Sequence, residues 1–253
     1  MAGTSGGGRT GGTPDLSELA AHSASLERSG TAERVAAVLR DRITEGYFPP
    51  GSRLSEESIS GALAVSRNTL REAFRLLSHE RLLEHRLNRG VFVRVLAVDD
   101  LVDIYRVRLL VECAALRALG EPPFDLGAVE AAVSSGEQAA LRDDWPACST
   151  ANIRFHQALA GLANSARTDE LMRNVLAELR LAFHVMADPR RFHEPYLTRN
   201  REITDRLAKG DAAGAERMLA FYLEDSRRQL AEAYAQRLTE RQPRAGRQPR
   251  AGR

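Results

Sequence analysis

Apolar residues in the first third of the chain recur at the spacing of amphipathic helices in three successive segments. The first predicted helix covers about 31–45. Ser55 is placed to cap a short second helix and Ser66 a third, because a serine side chain accepts hydrogen bonds from the free N–H groups of a helix start. Two β-like segments and the hairpin tip that joins them follow, at 82–85, 91–95 and 88–90. Three helices and a hairpin in this order predict a winged helix-turn-helix.

Helical spacing continues from residue 97 almost to the end of the chain, with no strand signal. Six helices are predicted, at about 98–119, 125–142, 145–163, 169–188, 195–209 and 211–238. Their connections are short, which favours an antiparallel helical bundle. The predicted fold class is therefore mostly α, with a winged helix-turn-helix at 29–96 followed by an all-α bundle at 97–240. The low-complexity leader (1–28) and the basic tail (241–253) are predicted to be disordered.

Composition narrows the class of protein. Hydrophobic residues make up 43% of the chain, enough for a core, but no apolar run reaches the roughly 18 residues that a membrane helix needs. The N-terminus lacks the apolar segment of a secretory signal. The two cysteines, Cys113 and Cys148, lie in apolar helical patterns and suggest burial rather than a disulfide framework. We expect a cytoplasmic protein with no membrane partner.

Charge is distributed unevenly along the chain. Residues 31–96 hold eleven Arg against eight Asp and Glu, whereas residues 97–240 hold eighteen Lys and Arg against twenty-three Asp and Glu. A basic N-terminal unit on an acidic body indicates that only the first unit meets a polyanion.

The third predicted helix contains the residues that we expect to contact that polyanion. Its polar face presents Arg67, Asn68, Arg71 and Arg75. Arginine can bind the major-groove edge of guanine with two hydrogen bonds, and asparagine can do the same for adenine. The start of a recognition helix lies nearest the bases, which adds Thr69, and the Ser66 cap suits a phosphate.

Weaker candidates for contacts with the DNA backbone surround this helix. They are Arg89 and Gly90 at the hairpin tip, together with Arg53, Ser58 and Arg34. The alternative is a basic helix face that is merely solvated. The whole order of capped helix, tight turn, arginine-rich helix and glycine-tipped hairpin favours DNA binding.

The segment from Gly46 to Val93 resembles the DNA-binding domain of GntR-type bacterial regulators. The motifs that carry the resemblance are Pro-Gly-x-x-Leu, Val-Ser-Arg-x-x-Leu-Arg-Glu-Ala and Arg-Gly-Val-Phe-Val. Downstream, the stretches DDLVDIYRVRLLVECAALRAL, FHQALAGLAN and REITDRLAKGDAAGAERMLAFYL are similar to the FCD effector domain of the FadR-like branch. The resemblance covers about 31–236. It implies a homodimer that binds a short near-palindromic DNA operator, usually as a repressor. A small metabolite would release it from the DNA or, in some cases, recruit it.

Many FCD domains hold a divalent metal with an aspartate, a histidine four residues later and two further histidines. The equivalent positions here are Asn152, His156, Asn200 and Tyr222, so only His156 keeps the ligand type. Neutral amides are poor ligands for a divalent transition metal. We therefore expect neither a metal nor another cofactor, and no stoichiometric zinc, nickel or manganese in the dialysed protein.

These four positions, with Arg108, are the predicted effector site. The resemblance places Arg108 where it would pair with a carboxylate of the ligand, and the other four offer neutral hydrogen bonds inside a bundle. The alternative is a buried, self-satisfied polar network that binds nothing. In that case the chain is a DNA-binding regulator or an architectural protein whose C-terminal domain does not sense a ligand.

The sequence argues against an enzyme. None of the six histidines follows a glutamate by three residues, as in a di-iron site, and neither His-Glu-x-x-His nor Gly-x-Ser-x-Gly occurs. A phosphate-loop-like match at 3–10 has Arg9 in place of the required lysine. His79 and His85 are expected at the surface, and a metal pair formed by His184 and His193 is the less favoured interpretation of those residues. An RNA-binding protein is disfavoured because 31–96 offers few aromatic residues for stacking.

Overall fold

The computed structural model describes residues 23–184 and 188–241. The predicted leader, up to residue 22, and the predicted basic tail, from residue 242, lie outside the described residues. Among the described helices, none is both long and apolar enough to span a membrane.

The N-terminal unit has the predicted winged helix-turn-helix order. Its elements are α1 (Ser23–Thr44), β1 (Arg53–Leu54), α2 (Glu56–Ala62), α3 (Arg67–His79), β2 (Leu83–Arg86) and β3 (Gly90–Val93). The strands form an antiparallel sheet in the order β1-β3-β2, in which Phe92 of β3 faces Arg53 on one side and Glu84 on the other. Strand β1 was not predicted, because two residues are too few to show an alternating pattern.

The starts of α2 and α3 are fixed by the predicted serine caps. Ser55 Oγ accepts a hydrogen bond from Ser58 N at 3.3 Å, and Ser66 Oγ accepts one from Thr69 N at 3.1 Å. Helix α3 packs against α1, and its apolar residues Leu70, Phe74 and Leu77 are each fully buried. Burial of that face holds the opposite face of α3 in a fixed orientation toward solvent.

The C-terminal unit is the predicted helical bundle. Its helices are α4 (Val98–Arg117), α5 (Gly127–Leu141), α6 (Trp145–Gly161), α7 (Ala166–Phe183), α8 (Pro189–Ala208) and α9 (Ala212–Arg241). Helix α8 begins six residues earlier than predicted. Asp188 caps it, since its Oδ1 accepts from Arg191 N at 3.0 Å, and Pro189 takes the first helical position, where its missing N–H costs nothing. Helix α1 likewise begins earlier than predicted, at Ser23.

The bundle helices pack against one another in pairs. Helix α4 lies against α9, and α5 lies against α6. Helices α4, α6, α8 and α9 each contribute a polar side chain to the bundle interior, which is otherwise filled by residues such as Phe155 and Leu219. Helix α7 also contacts α1, so the bundle touches the N-terminal unit directly.

Candidate functional site

The polar face of α3 is open to solvent along its length. Arg67, Asn68, Arg71 and Arg75 are all exposed, while Thr69 is half-buried. Ser66 and Thr69 link their hydroxyls at 2.8 Å at the helix start. The sequence prediction and the structure therefore agree on which side chains this face presents.

Each arginine on the face lies beside a glutamate. Arg71 Nε donates to Glu56 Oε2 at 2.9 Å, Arg75 Nη1 donates to Glu72 Oε2 at 2.9 Å, and Arg67 lies 4.0 Å from Glu57. Glu56 and Glu57 belong to the first turn of α2. Exposed pairs of this kind stabilise by about 0–1 kcal/mol, so a phosphate or a base can replace the glutamate.

The hairpin between β2 and β3 forms a wing whose tip is exposed. Asn88 and Gly90 take positive φ values of 58° and 100° there. A Cβ at Gly90 would lie 3.4 Å from Arg53 Nε, so Arg53 and the tip residue Arg89 flank the same turn. Leu87 is 89% exposed at the tip, an apolar residue that the sequence prediction missed.

The two remaining predicted contact residues are also exposed. Ser58 on α2 bonds Ser55 through their hydroxyls at 3.0 Å, and Arg34 on α1 donates to Thr31 Oγ1 at 3.1 Å. These local bonds leave both side chains at the surface of the N-terminal unit.

The five predicted effector residues converge inside the bundle. Arg108 comes from α4, Asn152 and His156 from α6, Asn200 from α8 and Tyr222 from α9, and all are at least nine-tenths buried. Asn200 Nδ2 donates to Asn152 Oδ1 at 2.9 Å. The Tyr222 hydroxyl oxygen lies 3.0 Å from both Asn152 Oδ1 and His156 Nε2. The hydroxyl has one proton, so it donates a hydrogen bond to only one of these two atoms at a time.

Glu112 completes this buried polar cluster and was missed in the sequence. Its Oε1 accepts from Arg108 Nε at 2.9 Å, and its Oε2 lies 2.6 Å from His156 Nδ1. Arg108 and Glu112 are one helical turn apart on α4, and this i, i+4 spacing of opposite charges was the available signal. The Arg108 guanidinium also stacks on the Tyr105 ring, 4.7 Å from its centre.

Burial sets the ionisation of the cluster. Burial, and then the positive charge of Arg108, lower the pKa of His156, so the imidazole is neutral at pH 7. Burial alone would raise the pKa of Glu112, but His156 and Arg108 outweigh it and hold the pKa of this carboxyl below its ordinary value. Burial raises the pKa of Tyr222 well above 10, so the phenol keeps its proton.

The cluster does not suit a divalent transition metal. The four aligned positions supply two amides, one imidazole and one neutral phenol, and Asn152 Oδ1 already lies within hydrogen-bonding distance of two neighbours. No group of three His, Cys, Asp or Glu residues in the described ranges could hold a metal ion. His184 and His193 point elsewhere: His184 Nε2 donates to Thr44 O at 2.7 Å, and His193 packs against Phe183 and Phe192.

Two polar atoms of the cluster lack a hydrogen-bond partner among the described residues. They are Arg108 Nη2 and Asn200 Oδ1, both buried. Two surface grooves approach the cluster from either side of α9. One, of about 380 Å³, lies between α8 and α9 and reaches Tyr222; the other, of about 330 Å³, lies between α4 and α9 and reaches Tyr105. Of the residues in the cluster, only Tyr222 lines one of these grooves.

Three contacts connect the bundle to the N-terminal unit. Arg94 binds Asp100 at 2.6 Å and also Glu178 of α7. Tyr234 of α9 donates to Leu96 O at 3.1 Å. At the third contact, Arg180 and His184 both donate to Thr44 O, the last carbonyl of α1, and Arg180 Nη2 also donates to Thr150 Oγ1 at 2.6 Å. The contact at Thr44 was not predicted from the sequence.

The two cysteines are buried and free, as their apolar surroundings in the sequence suggested. Burial raises the pKa of Cys113 to about 12, so its thiol is protonated and unreactive at neutral pH.

Comparison with known proteins matches both units to described families. The family model for bacterial regulatory proteins of the gntR family matches residues 31–93, and the FCD domain model matches residues 103–225. A crystal structure from Rhodococcus sp. RHA1, described as a GntR transcriptional regulator, is 51% identical and has a TM-score of 0.77, covering 80% of this chain and 98% of that one.

Curated relatives include regulators of operons that are named for a sugar or a sugar acid. The galactonate operon transcriptional repressor of Escherichia coli is 28% identical over 79% of this chain and 96% of its own length. A protein of Paenarthrobacter nicotinovorans named for the repression of a D-xylose utilization operon is 29% identical over 78% of this chain and 88% of its own.

Proposed function

This chain belongs to the gntR family of bacterial regulatory proteins and carries an FCD domain, and on that premise we propose that it is a ligand-responsive repressor of metabolic genes. It binds specific DNA sequences through α3 and regulates transcription; it is not an enzyme. As a homodimer it would engage the two halves of a short near-palindromic operator, and a small metabolite bound in the helical domain would release it.

One observation carries the DNA-binding half of this proposal: the apolar face of α3 is fully buried while its arginine face is exposed. A helix held in this way can enter a major groove with Arg67, Asn68 and Arg71 toward the bases. The wing residues Arg53 and Arg89 are placed for the flanking phosphates or the minor groove.

The test of DNA binding uses duplexes selected by the protein from a random library, with affinity measured by fluorescence anisotropy. Arg71→Ala should weaken binding by about 1–3 kcal/mol and relax the base preference at one position. Arg173→Ala is the matched control, because Arg173 is exposed on α7 in the acidic body. If the affinity of Arg71→Ala for DNA were unchanged, α3 would not be the recognition helix.

The effector half of the proposal rests on the buried polar cluster and its two unpartnered atoms. A ligand that bonds Arg108 and Asn200 would pull on α4 and α8. Helices α4 and α9 continue into the contacts at Arg94 and Leu96, so their movement changes the position of the N-terminal unit. Repositioning the two recognition helices of a dimer weakens binding because both half-sites must be engaged together.

A regulator whose helical domain senses nothing is the second candidate. The observation in its favour is that Glu112, His156, Tyr222 and Asn152 satisfy much of one another's hydrogen-bonding capacity. The two candidates are separated by a thermal-shift screen of metabolites repeated on His156→Ala. A metabolite that raises the Tm of the natural protein but not of the variant supports sensing.

A further inference from the structure

Helices α4 and α9 lie side by side and run in opposite directions. The Tyr105 hydroxyl oxygen of α4 lies 2.7 Å from Ser226 Oγ of α9, and near the other end of α4 Arg117 Nε lies 3.5 Å from Glu216 Oε1. As residue numbers rise along α4, those of the α9 residues beside them therefore fall. This pairing fixes which residues of the two helices stand at the same level.

Each of the two helices presents a large apolar side chain on its outer face. Leu110 of α4 is 64% exposed and Phe221 of α9 is 80% exposed. Tyr105 lies five residues before Leu110, and Ser226 lies five residues after Phe221. Because Tyr105 and Ser226 are in contact and the helices are antiparallel, Leu110 and Phe221 stand at the same level. The groove of about 330 Å³ between the two helices adds further apolar side chains to this surface, those of Val102, Leu109 and Leu223.

The outer face of α4 carries opposite charges at equal distances from Leu110. Asp103 lies seven residues before Leu110 and Arg117 seven residues after it, and their side chains are 59% and 63% exposed. Seven residues are about two helical turns, so the three side chains share one face. If two copies of α4 pack antiparallel across Leu110, Asp103 of each copy faces Arg117 of the other. The ion pairs that Asp103 and Arg117 form within one chain, to Arg106 and Glu216, are long at 3.5 Å, so exchanging them costs little.

Helix α9 has the same property about Phe221. Arg217 lies four residues before Phe221, while Glu224 and Asp225 lie three and four residues after it. An antiparallel pair of α9 helices centred on Phe221 would place Arg217 of each copy beside the two acids of the other. These acids also bond arginines of α8 and α9 in their own chain, which would share them. Since Leu110 and Phe221 are level, a single two-fold axis produces the complementary contacts of both helices.

The dimensions of this face suit a dimer that binds DNA. Helix α4 is about 30 Å long and two neighbouring helices are about 20 Å wide, a footprint on the order of 600 Å². That is close to the roughly 800 Å² that each partner buries in a standard interface. Val98, where α4 begins, lies about 18 Å along the helix from Leu110, so the starts of the two α4 helices would be about 36 Å apart. One turn of DNA, the separation of two half-sites, is about as long.

On the premise of the proposed homodimer, we propose that the outer faces of α4 and α9 form the surface that binds a second copy of this chain. The two-fold axis crosses α4 at Leu110 and α9 at Phe221, and ion pairs between the copies flank both apolar side chains. The interface belongs to the helices that contact the N-terminal unit near Leu96. It therefore sets the separation of the two recognition helices.

Sedimentation velocity of the full chain over a range of concentrations tests this surface. Leu110→Asp places a carboxylate opposite the same carboxylate of the second copy, so the dissociation constant of the dimer should rise at least tenfold. Phe221→Asp should weaken the dimer in the same way. The matched control is Leu141→Asp, because Leu141 is 88% exposed at the end of α5, and its dimer should be as stable as that of the natural protein. All three side chains are exposed, and circular dichroism checks that the variants fold.

A charge exchange tests the antiparallel register. Asp103→Arg and Arg117→Asp should each weaken the dimer, because the new side chain faces a like charge in the second copy. The double variant Asp103→Arg/Arg117→Asp restores opposite charges and should recover most of the lost affinity between the copies. Double and single variants that are equally weak would overturn this register.

Disulfide trapping gives an independent readout of the axis. The two cysteines of the natural chain are buried, so a cysteine introduced at the surface reports on the interface alone. Mild oxidation should link Leu110→Cys into a covalent dimer on a non-reducing gel, since residue 110 faces its own copy at the axis. Leu141→Cys should remain unlinked under the same conditions.

The surface and the homodimer fail in different ways. A natural protein that is a dimer, and that remains equally dimeric in Leu110→Asp and Phe221→Asp, would overturn this surface and leave the homodimer of the proposed function standing. A natural protein that is monomeric at every concentration, and binds the full duplex as one protomer, would overturn both.

Discussion

At the scale of single residues, the exposed arginines of α3, which we propose contact DNA, are paired with the protein's own acids. Arg71 and Glu56 form a pair in which the arginine side chain is 61% exposed. Water screens such a pair, so it holds the side chain in place without binding it strongly. On the proposed function, the glutamates of α2 therefore compete with DNA for the face of α3.

This competition predicts that removing the acid strengthens DNA binding. Glu56→Gln should raise the affinity for the selected duplex by up to about fivefold, since an exposed ion pair stabilises by at most about 1 kcal/mol. Fluorescence anisotropy at fixed salt concentration measures the change. Glu121→Gln alters the net charge equally but lies in the helical domain, and an equal gain there would mean that overall charge, rather than release of Arg71, is responsible.

His193 is a second residue whose surroundings have a measurable consequence. It is 3% exposed and its Nδ1 lacks a partner among the described residues. Burial, and then the charge of Arg180, lower the pKa of His193 to about 4. The unfolded chain takes up this proton near pH 6.5 but the folded chain only near pH 4, so acidification between these values favours unfolding.

His193→Leu should therefore lose less stability in acid than the natural protein. Between pH 7.5 and pH 4.5, the fall in its free energy of unfolding should be smaller by about 2–3 kcal/mol, from urea unfolding at each pH. The control is His79→Leu, because His79 is exposed on α3. A fall in His193→Leu as steep as in the control would contradict the lowered pKa.

The residues of α3 were predictable from the sequence because a surface helix separates its apolar and polar faces by spacing alone. Glu112 was not, since a glutamate in an apolar helix is usually solvent-exposed. Its burial depends on His156, which lies 44 residues away in sequence and satisfies one of its oxygens. The i, i+4 spacing of Arg108 and Glu112 was a local signal for the pair, but it does not show that the pair is buried, because the contact with His156 is long-range.

At the scale of elements, the predicted helices were confirmed, but some of their starts were not. The six helices of the bundle all exist, because apolar spacing over many residues is a strong signal. The starts of α1 and α8 were placed six or more residues late, and two-residue β1 was missed. These features depend on a cap at Asp188 and on pairing with β3, which are local or tertiary contacts rather than periodicity.

Helix α7 contacts the N-terminal unit directly, because its end binds the end of α1. The carbonyl of Thr44 would be unpaired at the helix terminus if Arg180 and His184 did not donate to it. Gly46 lies against this contact: a Cβ there would be 2.8 Å from His184 Nδ1, and its φ of +85° also disfavours other residues. We call Thr44, Arg180 and His184 the α1–α7 junction.

Breaking the α1–α7 junction should loosen the N-terminal unit without unfolding the bundle. In the double variant Arg180→Met/His184→Leu, the Thr44 carbonyl loses both donors, which costs about 1–3 kcal/mol if it stays buried. Hydrogen exchange followed by mass spectrometry should show faster exchange in the last turns of α1, with little change in α5. Arg173→Met, an exposed substitution on the same helix, should leave exchange unaltered; unaltered exchange in the double variant would mean that the junction does not stabilise α1.

At the scale of the whole molecule, a DNA-binding unit contacts a helical bundle that has a buried polar cluster. No local sequence pattern reveals the contacts between the two. Arg180 and Thr44 are 136 residues apart, and Tyr234 and Leu96 are 138 apart. The division into two units was predictable, because the predicted strand signals end at residue 95 and the net charge reverses sign after residue 96. The contacts that connect the two units were not predictable, because the residues that form them are far apart in the sequence.

The last prediction concerns the proposed homodimer. A dimer with two recognition helices would bind both halves of an operator at once. The selected duplex should contain two inverted half-sites, and cutting it to one should weaken binding at least about a hundredfold, since the second contact is intramolecular once the first is made. Five inserted base pairs turn the second half-site to the opposite side of the duplex, so they should weaken binding nearly as much. Anisotropy measures both changes, and sedimentation velocity gives the stoichiometry of the complex. A single half-site bound as tightly as the full duplex, by one protomer, would show that the protein reads DNA as a monomer and that effector control cannot act through the spacing of two α3 helices.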